Sequence, residues 1–372
     1  MTSILIAGDF APNERVAVKL DEGCYVDVLG EIKPIVEGVN YALVNLESPI
    51  VEGEGTPIPK AGPNLKCSKA VIGALQYAGF KGVTLANNHF YDYGDEGALT
   101  TMSLLSHATI DYVGAGKNLR EASRVLYRTI GDKCVSFINC CENEYSIATD
   151  TTAGSNPLNP ICQYYSIKEA RGKADFIIII VHGGIEGYQL PTPRMQELYR
   201  FFIDCGADLV VNHHQHCFSG YEEYNGKRIY YGLGNFCFDQ TSNCPQSWYE
   251  GFMLKLSFKD GLVKYDLIPY YQCKSEPRIR LHNGFGDEIK KLNTIISNPN
   301  ILDKEFKHFL EGTINSQKYV LCPYHNKYLA ALYVRGYLPG FLPISRLRNL
   351  QNKITCESHR ERFLYFLNNK LK

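Results

Sequence analysis

Short apolar runs alternate with amphipathic stretches through the first part of the chain, and the alternation predicts an α/β protein. Runs near 4–8, 41–46, 83–86, 134–139, 176–182 and 208–212 have the length and β-branched content of buried strands. Between them the apolar positions recur at helical spacing. One helix is expected from an N-cap at Ser68, with Val71, Leu75 and Ala78 on one face and a stop at Gly79. A second is expected from Asp95, with Ala98, Met102 and Leu105 together. A third follows Thr192-Pro193, with the proline at the first helical position, and ends before Gly206.

Beyond Glu222 the pattern changes to hairpins. Tyr224-Asn225-Gly226-Lys227 places Asn-Gly at a turn, and Phe252 to Phe258 and Leu262 to Ile268 flank a second turn at Lys259-Asp260-Gly261. From Gly286 the chain is polar and helical, richer in basic than acidic residues and broken by Pro323, Pro339 and Pro343. The organisation expected is therefore a main domain over 1–285 and a C-terminal helical extension over 286–372. In the extension, Phe309, Tyr333, Phe341, Phe363 and Phe366 are interleaved with Arg346, Arg348, Arg360 and Arg362.

Composition adds exclusions. In 372 residues, Lys+Arg 39 balances Asp+Glu 39, which argues against electrostatic binding of nucleic acid by the whole protein. The 13 cysteines are scattered without a CxxC pair, the usage of a reducing compartment, so a cytoplasmic protein is expected. No run approaches the ~20 apolar residues of a membrane-spanning helix, and no transmembrane segment is expected.

The candidate chemistry lies where the strands end. Asp9 follows the first apolar run, Glu47 the second, Asn88 and His89 the third, and His182 the run Phe176 to Val181. Val211-Asn212-His213-His214-Gln215-His216 follows the last. Its alternate histidines, His214 and His216, are expected to project from a strand end toward one point. Taken alone, Asp9 or Glu47 is better explained as a loop cap, Asn88 as a turn residue, and Asp92 with Gly94 as a helix start. Together, six potential ligands at strand exits, where open α/β sheets carry ligands, indicate one metal site. Carboxylate and imidazole donors suit Mn, Zn or Fe, as one or two divalent ions. His213 is taken as structural, and Cys140-Cys141 as part of a buried strand.

These stretches resemble the CapA family of poly-γ-glutamate and capsule biosynthesis proteins, which are similar to calcineurin-like metallophosphoesterases. The resemblance rests on Gly8-Asp9, Asn45-Leu46-Glu47, LANNHFYDYG from Leu85 to Gly94, Val113-Gly114-Ala115-Gly116, His182-Gly183-Gly184-Ile185-Glu186, GADLVVNHHQH from Gly206 to His216 and YYGLGNFCFD from Tyr230 to Asp239. It implies a four-layer αββα sandwich with a two-metal site at the sheet edge. Asp9 and His216 would hold the first ion, Glu47 would bridge, and Asn88, His182 and His214 would hold the second. His89 would act as general acid, oriented by Asp92, and Glu186 and Asn235 would line the substrate pocket.

This chain departs from the pattern three times, one of them Asn212-His213-His214-Gln215-His216 in place of the family's usual Gly-His-His-Pro-His. Ala11 stands where phosphoesterases carry a second ligand, leaving the first ion one donor short. Gly183 stands where the family usually has Trp, which is expected to open the entrance. The resemblance implies a metal-dependent, phosphoesterase-like hydrolase working on an anionic polymer or its phosphorylated precursor, with other capsule-biosynthesis proteins as partners. The alternative is a non-catalytic metal-binding accessory protein of a polymer synthesis complex.

Overall fold

A computed structural model describes residues 2–240, 244–320, 322–324, 326–340, 343–355, 359, 363–364 and 367. It contains two main sheets. The first has β1 (Thr2–Ala11), β2 (Tyr41–Leu46), β3 (Gly82–Thr84) and β4 (Asp111–Val113), with β13 (Asn235–Phe238), β14 (Glu250–Lys259), β15 (Leu262–Gln272) and β16 (Ile279–Leu281). Their order is β16-β15-β14-β1-β2-β3-β4, and β13 also pairs with β1. The second has β6 (Leu126–Ile130), β7 (Lys133–Cys141), β9 (Phe176–His182), β10 (Leu209–His213), β11 (Tyr221–Tyr224) and β12 (Lys227–Tyr230), in the order β11-β12-β10-β9-β7-β6. A two-stranded ladder joins β5 (Ala115–Gly116) to β8 (Gly154–Ser155).

Strand periodicity explains the layering. Successive residues of a strand face opposite sides, so Ile4 and Ile6 of β1, with Tyr41 and Leu43 of β2, join Val135, Phe137, Ile178, Ile180, Leu209 and Val211 between the sheets. Leu5, Ala7, Ala42 and Val44 face the other way, onto Val16 and Leu20 of helix Glu14–Asp21, Val71 and Leu75 of Ala70–Ala78, and Met102 and Leu105 of Gly94–His107. Ile177, Ile179 and Val210 lie in strands that pack against helices Pro160–Arg171 and Pro193–Asp204, whose Ile167, Tyr199 and Phe202 are buried. The result is the αββα sandwich expected, with strands buried on both faces, as continuous apolar runs require.

Local signals are largely obeyed. The helix after Thr192 starts with Pro193, and the Thr192 hydroxyl accepts the Met195 N–H at 3.2 Å. Gly79 closes Ala70–Ala78 at φ +92°, a value only glycine adopts freely. Asn225 and Gly226 turn at φ +49° and +71°, the two positive values of a tight hairpin turn. The N-cap of the helix Ala70–Ala78 is Lys69 rather than Ser68, whose hydroxyl instead donates to Asp21 and accepts the Ala70 N–H at 3.2 Å. Cys140 and Cys141 are buried in β7, and among the described residues no helix is long and apolar enough to cross a membrane.

Contacts divide the chain into Met1–Leu302 and Asp303–Lys372. Helix Gly286–Ile296 falls in the first unit: the Asn293 side chain accepts the Tyr221 N–H at 2.8 Å, and the Ile296 carbonyl accepts from Gln196. The second unit contains most of helix Pro299–Val320, with Lys327–Val334 and Ile344–Thr355. Phe341, Phe366, Arg360 and Arg362 lie outside the described residues.

Two devices fix the edge where the functional residues meet. The register sets Asp9 opposite Asn45 on one side and Asn235 on the other, with bulges at Asp9 in both ladders. A Cβ at Gly8 would meet the Gly234 carbonyl at 1.9 Å, so this approach of the β1 and β13 backbones requires glycine. In the second sheet, Asn139 of β7 accepts the N–H groups of Leu85 (3.2 Å) and Ala86 (2.7 Å) and donates to the Ile180 carbonyl, tying the two sheets together beneath the site.

Candidate metal centre

The parallel strands β1, β2 and β3 deliver Asp9, Glu47, Asn88 and His89 at their carboxyl ends, and β9 and β10 deliver His182 and the histidine segment. All six predicted ligands meet. His182 Nε2 lies 2.9 Å from Asn88 Oδ1, 3.0 Å from His214 Nδ1 and 3.4 Å from Glu47 Oε1. His216 Nε2 lies 3.7 Å from Glu47 Oε1, and its Nδ1 is 3.7 Å from Asp9 Oδ2. Two ligand groups thus share Glu47: Glu47, His182 and His214 on one side, and Asp9, Glu47 and His216 on the other, with the donor atoms of each group within 4.8 Å of one another.

The histidines do not project in the manner expected of alternate strand positions. β10 ends at His213; His214 and His216 lie beyond it with φ +87° and +54°. Such left-handed backbone at a non-glycine residue costs on the order of 1–3 kcal/mol. Here it turns both rings to the same side, aided by the His214 N–H, which donates to Asp9 Oδ2 at 3.1 Å.

Supporting polar contacts set which ring nitrogen faces the centre. Asn235 Oδ1 is 2.9 Å from His216 Nδ1, fixing a proton there and leaving Nε2 as a lone-pair donor toward Glu47. Asn235, expected in the substrate pocket, is therefore fully buried behind His216. Asn45, which the sequence reading left without a role, donates to Asp9 Oδ1 at 2.8 Å and accepts from Thr84. His213 is buried beneath the site, its Nδ1 3.5 Å from Asp9 Oδ1 and both ring nitrogens without a hydrogen bond.

The electrostatics are those of a cation site. Both Glu47 carboxylate oxygens are buried with no hydrogen-bond partner, a state that costs several kcal/mol for a charged group unless something cationic compensates. Burial, and then repulsion from Glu47, push the Asp9 carboxyl up to about 8. Burial likewise raises Glu47 and drives His182 and His214 well below the usual imidazole range, so both rings are neutral donors at pH 7. Burial opposes the charge on His216, but Glu47, Asp9 and Glu186 outweigh it and raise this ring. Orphaned carboxylate oxygens beside the neutral imidazoles of His182 and His214 fit a divalent cation, whose charge would reverse the penalty on both carboxylates.

Beside the centre, His89 Nδ1 lies 2.7 Å from Asp92 Oδ2, as expected of an oriented acid. The sequence reading missed Lys60. It comes from the loop before Ala61-Gly62-Pro63, has an almost fully buried side chain, pairs with Asp92 and lies 3.2 Å from His89 Nδ1. No spacing in that loop announces it. A cleft of about 450 Å3 opens over His89, Asn88 and His216, flanked by Lys60, Glu144, Glu186 and Trp248. Gly183 does not widen it: a Cβ there would meet Glu142 Cγ at 2.7 Å, because the Glu142 side chain occupies that space, paired with Arg194 and accepting the Gly184 N–H. Ala11 is fully buried and held in register with Phe238, so position 11 brings no donor to the centre.

The capsule biosynthesis protein CapA of Bacillus anthracis is 32% identical over 221 residues, which cover 57% of this chain and 54% of that one. The PGA biosynthesis protein CapA of Bacillus subtilis (strain 168) is 31% identical over 242 residues, covering 64% of this chain and 63% of that one. A probable polyglutamine synthesis accessory protein of Mycobacterium tuberculosis is 27% identical over 191 residues, covering 48% of each. This chain thus spans about half to three fifths of the length of these curated relatives. Residues 3–240, which carry every residue of the centre, match the family described as bacterial capsule synthesis protein PGA_cap, and the chain belongs to that family.

Proposed function

We propose that the protein is a metal-dependent hydrolase with phosphoesterase-like chemistry, acting in the biosynthesis of a capsule, exopolysaccharide or poly-γ-glutamate. The observation that carries this reading is Glu47: both its oxygens are buried and unpartnered between two ligand groups, with His89 and Asp92 beside them. Bound Mn, Zn or Fe ions would supply Lewis acidity toward a phosphoryl or carbonyl oxygen. Asp9, Glu47 and His216 would hold one ion, and Glu47, Asn88, His182 and His214 the other.

The remaining residues have separable tasks. Asp92 accepts from His89 Nδ1 and holds the ring with Nε2 as the proton-carrying atom for a leaving group. Lys60 pairs with the Asp92 carboxylate and adds positive charge at the cleft, which suits an anionic substrate. An anionic polymer or its phosphorylated precursor as substrate, with other capsule-biosynthesis proteins as partners, would suit a chain similar to proteins named for capsule and PGA biosynthesis.

The expected result for His89→Ala is a fall in kcat of about 10²–10⁴-fold with bound metal unchanged, measured on phosphodiester and phosphomonoester panels together with elemental analysis. Loss of metal in this variant would make His89 a ligand and remove the acid from the mechanism. Asp92→Asn should lower kcat less, by about tenfold; alanine is the poorer probe, because it would leave Lys60 buried without its partner. A non-catalytic accessory role is the second reading, favoured by the missing donor at Ala11 and by the name of the mycobacterial relative. Metal binding without turnover on any such substrate would support it.

A further inference from the structure

The metal reading above leaves the ion held by Asp9, Glu47 and His216 without the donor that position 11 would supply. Three protein ligands can hold a catalytic ion, but an Asp, a Glu and one neutral imidazole include one nitrogen donor where phosphoesterases would have two. A further carboxylate stands beside His214 and His216. A Glu186 oxygen and nitrogens of both rings lie within 4.8 Å of one another, a third group that shares His216 with the first ion's ligands and His214 with the second's. The second ion already has four donors in Glu47, Asn88, His182 and His214, so the missing donor is at the first.

Glu186 is exposed on a loop, and an exposed acid alone would carry little weight. The loop, however, is built onto the ligand segment. Ile185 to Tyr188 forms a tight turn in which the Tyr188 N–H donates to the Ile185 carbonyl at 3.1 Å, with Gly184 and Gly187 at φ +110° and +73°. The Gly187 N–H donates to the Gln215 carbonyl at 2.8 Å. The buried Gln215 side chain donates to the carbonyls of Tyr188 (2.6 Å) and Leu190 (3.2 Å). Gln215 is the residue between His214 and His216, so the peptide that presents the two imidazoles also fixes the turn that presents Glu186.

Charge points the same way. Glu144 Oε1 is 4.0 Å from His214 Nε2, on the same side as Glu186 in the lining of the cleft. Two carboxylates therefore crowd the mouth of the centre, and among the described residues no Lys or Arg forms an ion pair with Glu186. We propose that Glu186 is a metal ligand, supplying from the His182-Gly183-Gly184-Ile185-Glu186 turn the donor that Ala11 cannot. This rests on the metal reading and deepens it: the first ion would be held by Asp9, Glu47, His216 and Glu186, with the last contributed from the cleft side and the most accessible to displacement by substrate.

The test is metal binding, not turnover. Metal-free protein, checked for folding by circular dichroism, is titrated with Mn²⁺ by calorimetry and equilibrated for elemental analysis, as wild type, Glu186→Gln and Glu144→Gln. The expected result is wild-type uptake of two ions and, in Glu186→Gln, one ion weakened on the order of 100-fold with the other unchanged, while Glu144→Gln retains both. Wild-type affinity for two ions in Glu186→Gln would overturn the proposal and leave the metal reading intact. Equal weakening in both variants would also overturn it, because the effect would then be one of charge at the mouth rather than ligation. Wild-type protein that takes up no ion would overturn this proposal and the metal reading together.

Discussion

Replacing His216 by Ala is expected to strip the centre of most of its metal. His216 belongs to two of the three ligand groups, as Glu47 and His214 also do, facing Asp9 and Glu47 on one side and Glu186 on the other. Its Nε2 is freed for ligation by the contact of Nδ1 with Asn235. Loss of a residue that merely supports a ligand costs 10–100-fold in affinity, so loss of the ligand should cost on the order of 100-fold or more. Elemental analysis of protein grown in metal-supplemented medium should show one or two ions in wild type and a clear deficit in His216→Ala. Thermal shift gives an independent reading. A ligand at 100 times its Kd stabilises by about 2.7 kcal/mol, and that metal-induced gain should be largely absent from the variant. Equal metal content and equal metal-induced shift in the two proteins would end the metal-centre reading.

The sandwich and the convergence of six ligands were legible in the chain because both depend on strand order and strand ends. A run such as Phe176 to Val181 can be little other than a buried strand, and the residue that follows it must emerge at the sheet edge. What was not legible depends on chain segments that meet only after folding. Lys60 reaches His89 and Asp92 from a proline-rich loop with no periodicity, and Asn235 turned out to hold His216 because β13 pairs with β1 beside Asp9. The alternation of His214 and His216 led to two residues whose rings do meet the other candidates, but not for the reason of alternation. Their rings converge through left-handed backbone beyond the end of β10, which period-two reasoning cannot see. The space opposite Gly183 was likewise invisible to sequence, since Glu142 fills it from another strand's exit.

Glu47→Gln should separate the stability of the metal-free protein from its ability to bind metal, moving them in opposite directions. Glu47 is buried with neither carboxylate oxygen hydrogen-bonded, and burial raises its carboxyl above the ordinary value of 4.5. A carboxyl whose folded-state value lies above the unfolded one imposes no penalty at pH below the unfolded value, and destabilises the folded state increasingly as pH rises through the folded one. Asp9, raised from 3.8 to about 8, obeys the same sign. Metal-free wild type should therefore lose stability between about pH 4 and pH 8 from these two groups, because the unfolded chain releases protons that the folded chain retains. The amide that Glu47→Gln introduces cannot ionise, and its N–H could donate to His182 Nε2 or His216 Nε2, which lie 3.4 Å and 3.7 Å from Glu47 Oε1. Metal-free Glu47→Gln should match wild type near pH 5 and exceed it by about 1–3 kcal/mol near pH 9, the order of the desolvation penalty of an unsatisfied buried polar group. With Mn²⁺ or Zn²⁺ present the order should reverse, since wild type gains the bound ions and the variant has lost the carboxylate shared by both ligand groups. Denaturation midpoints across pH, with and without metal, give the four curves needed. Metal-free curves that coincide from pH 5 to pH 9 would mean that Glu47 carries no buried-charge penalty, and the strongest electrostatic argument for a cation at this centre would be withdrawn.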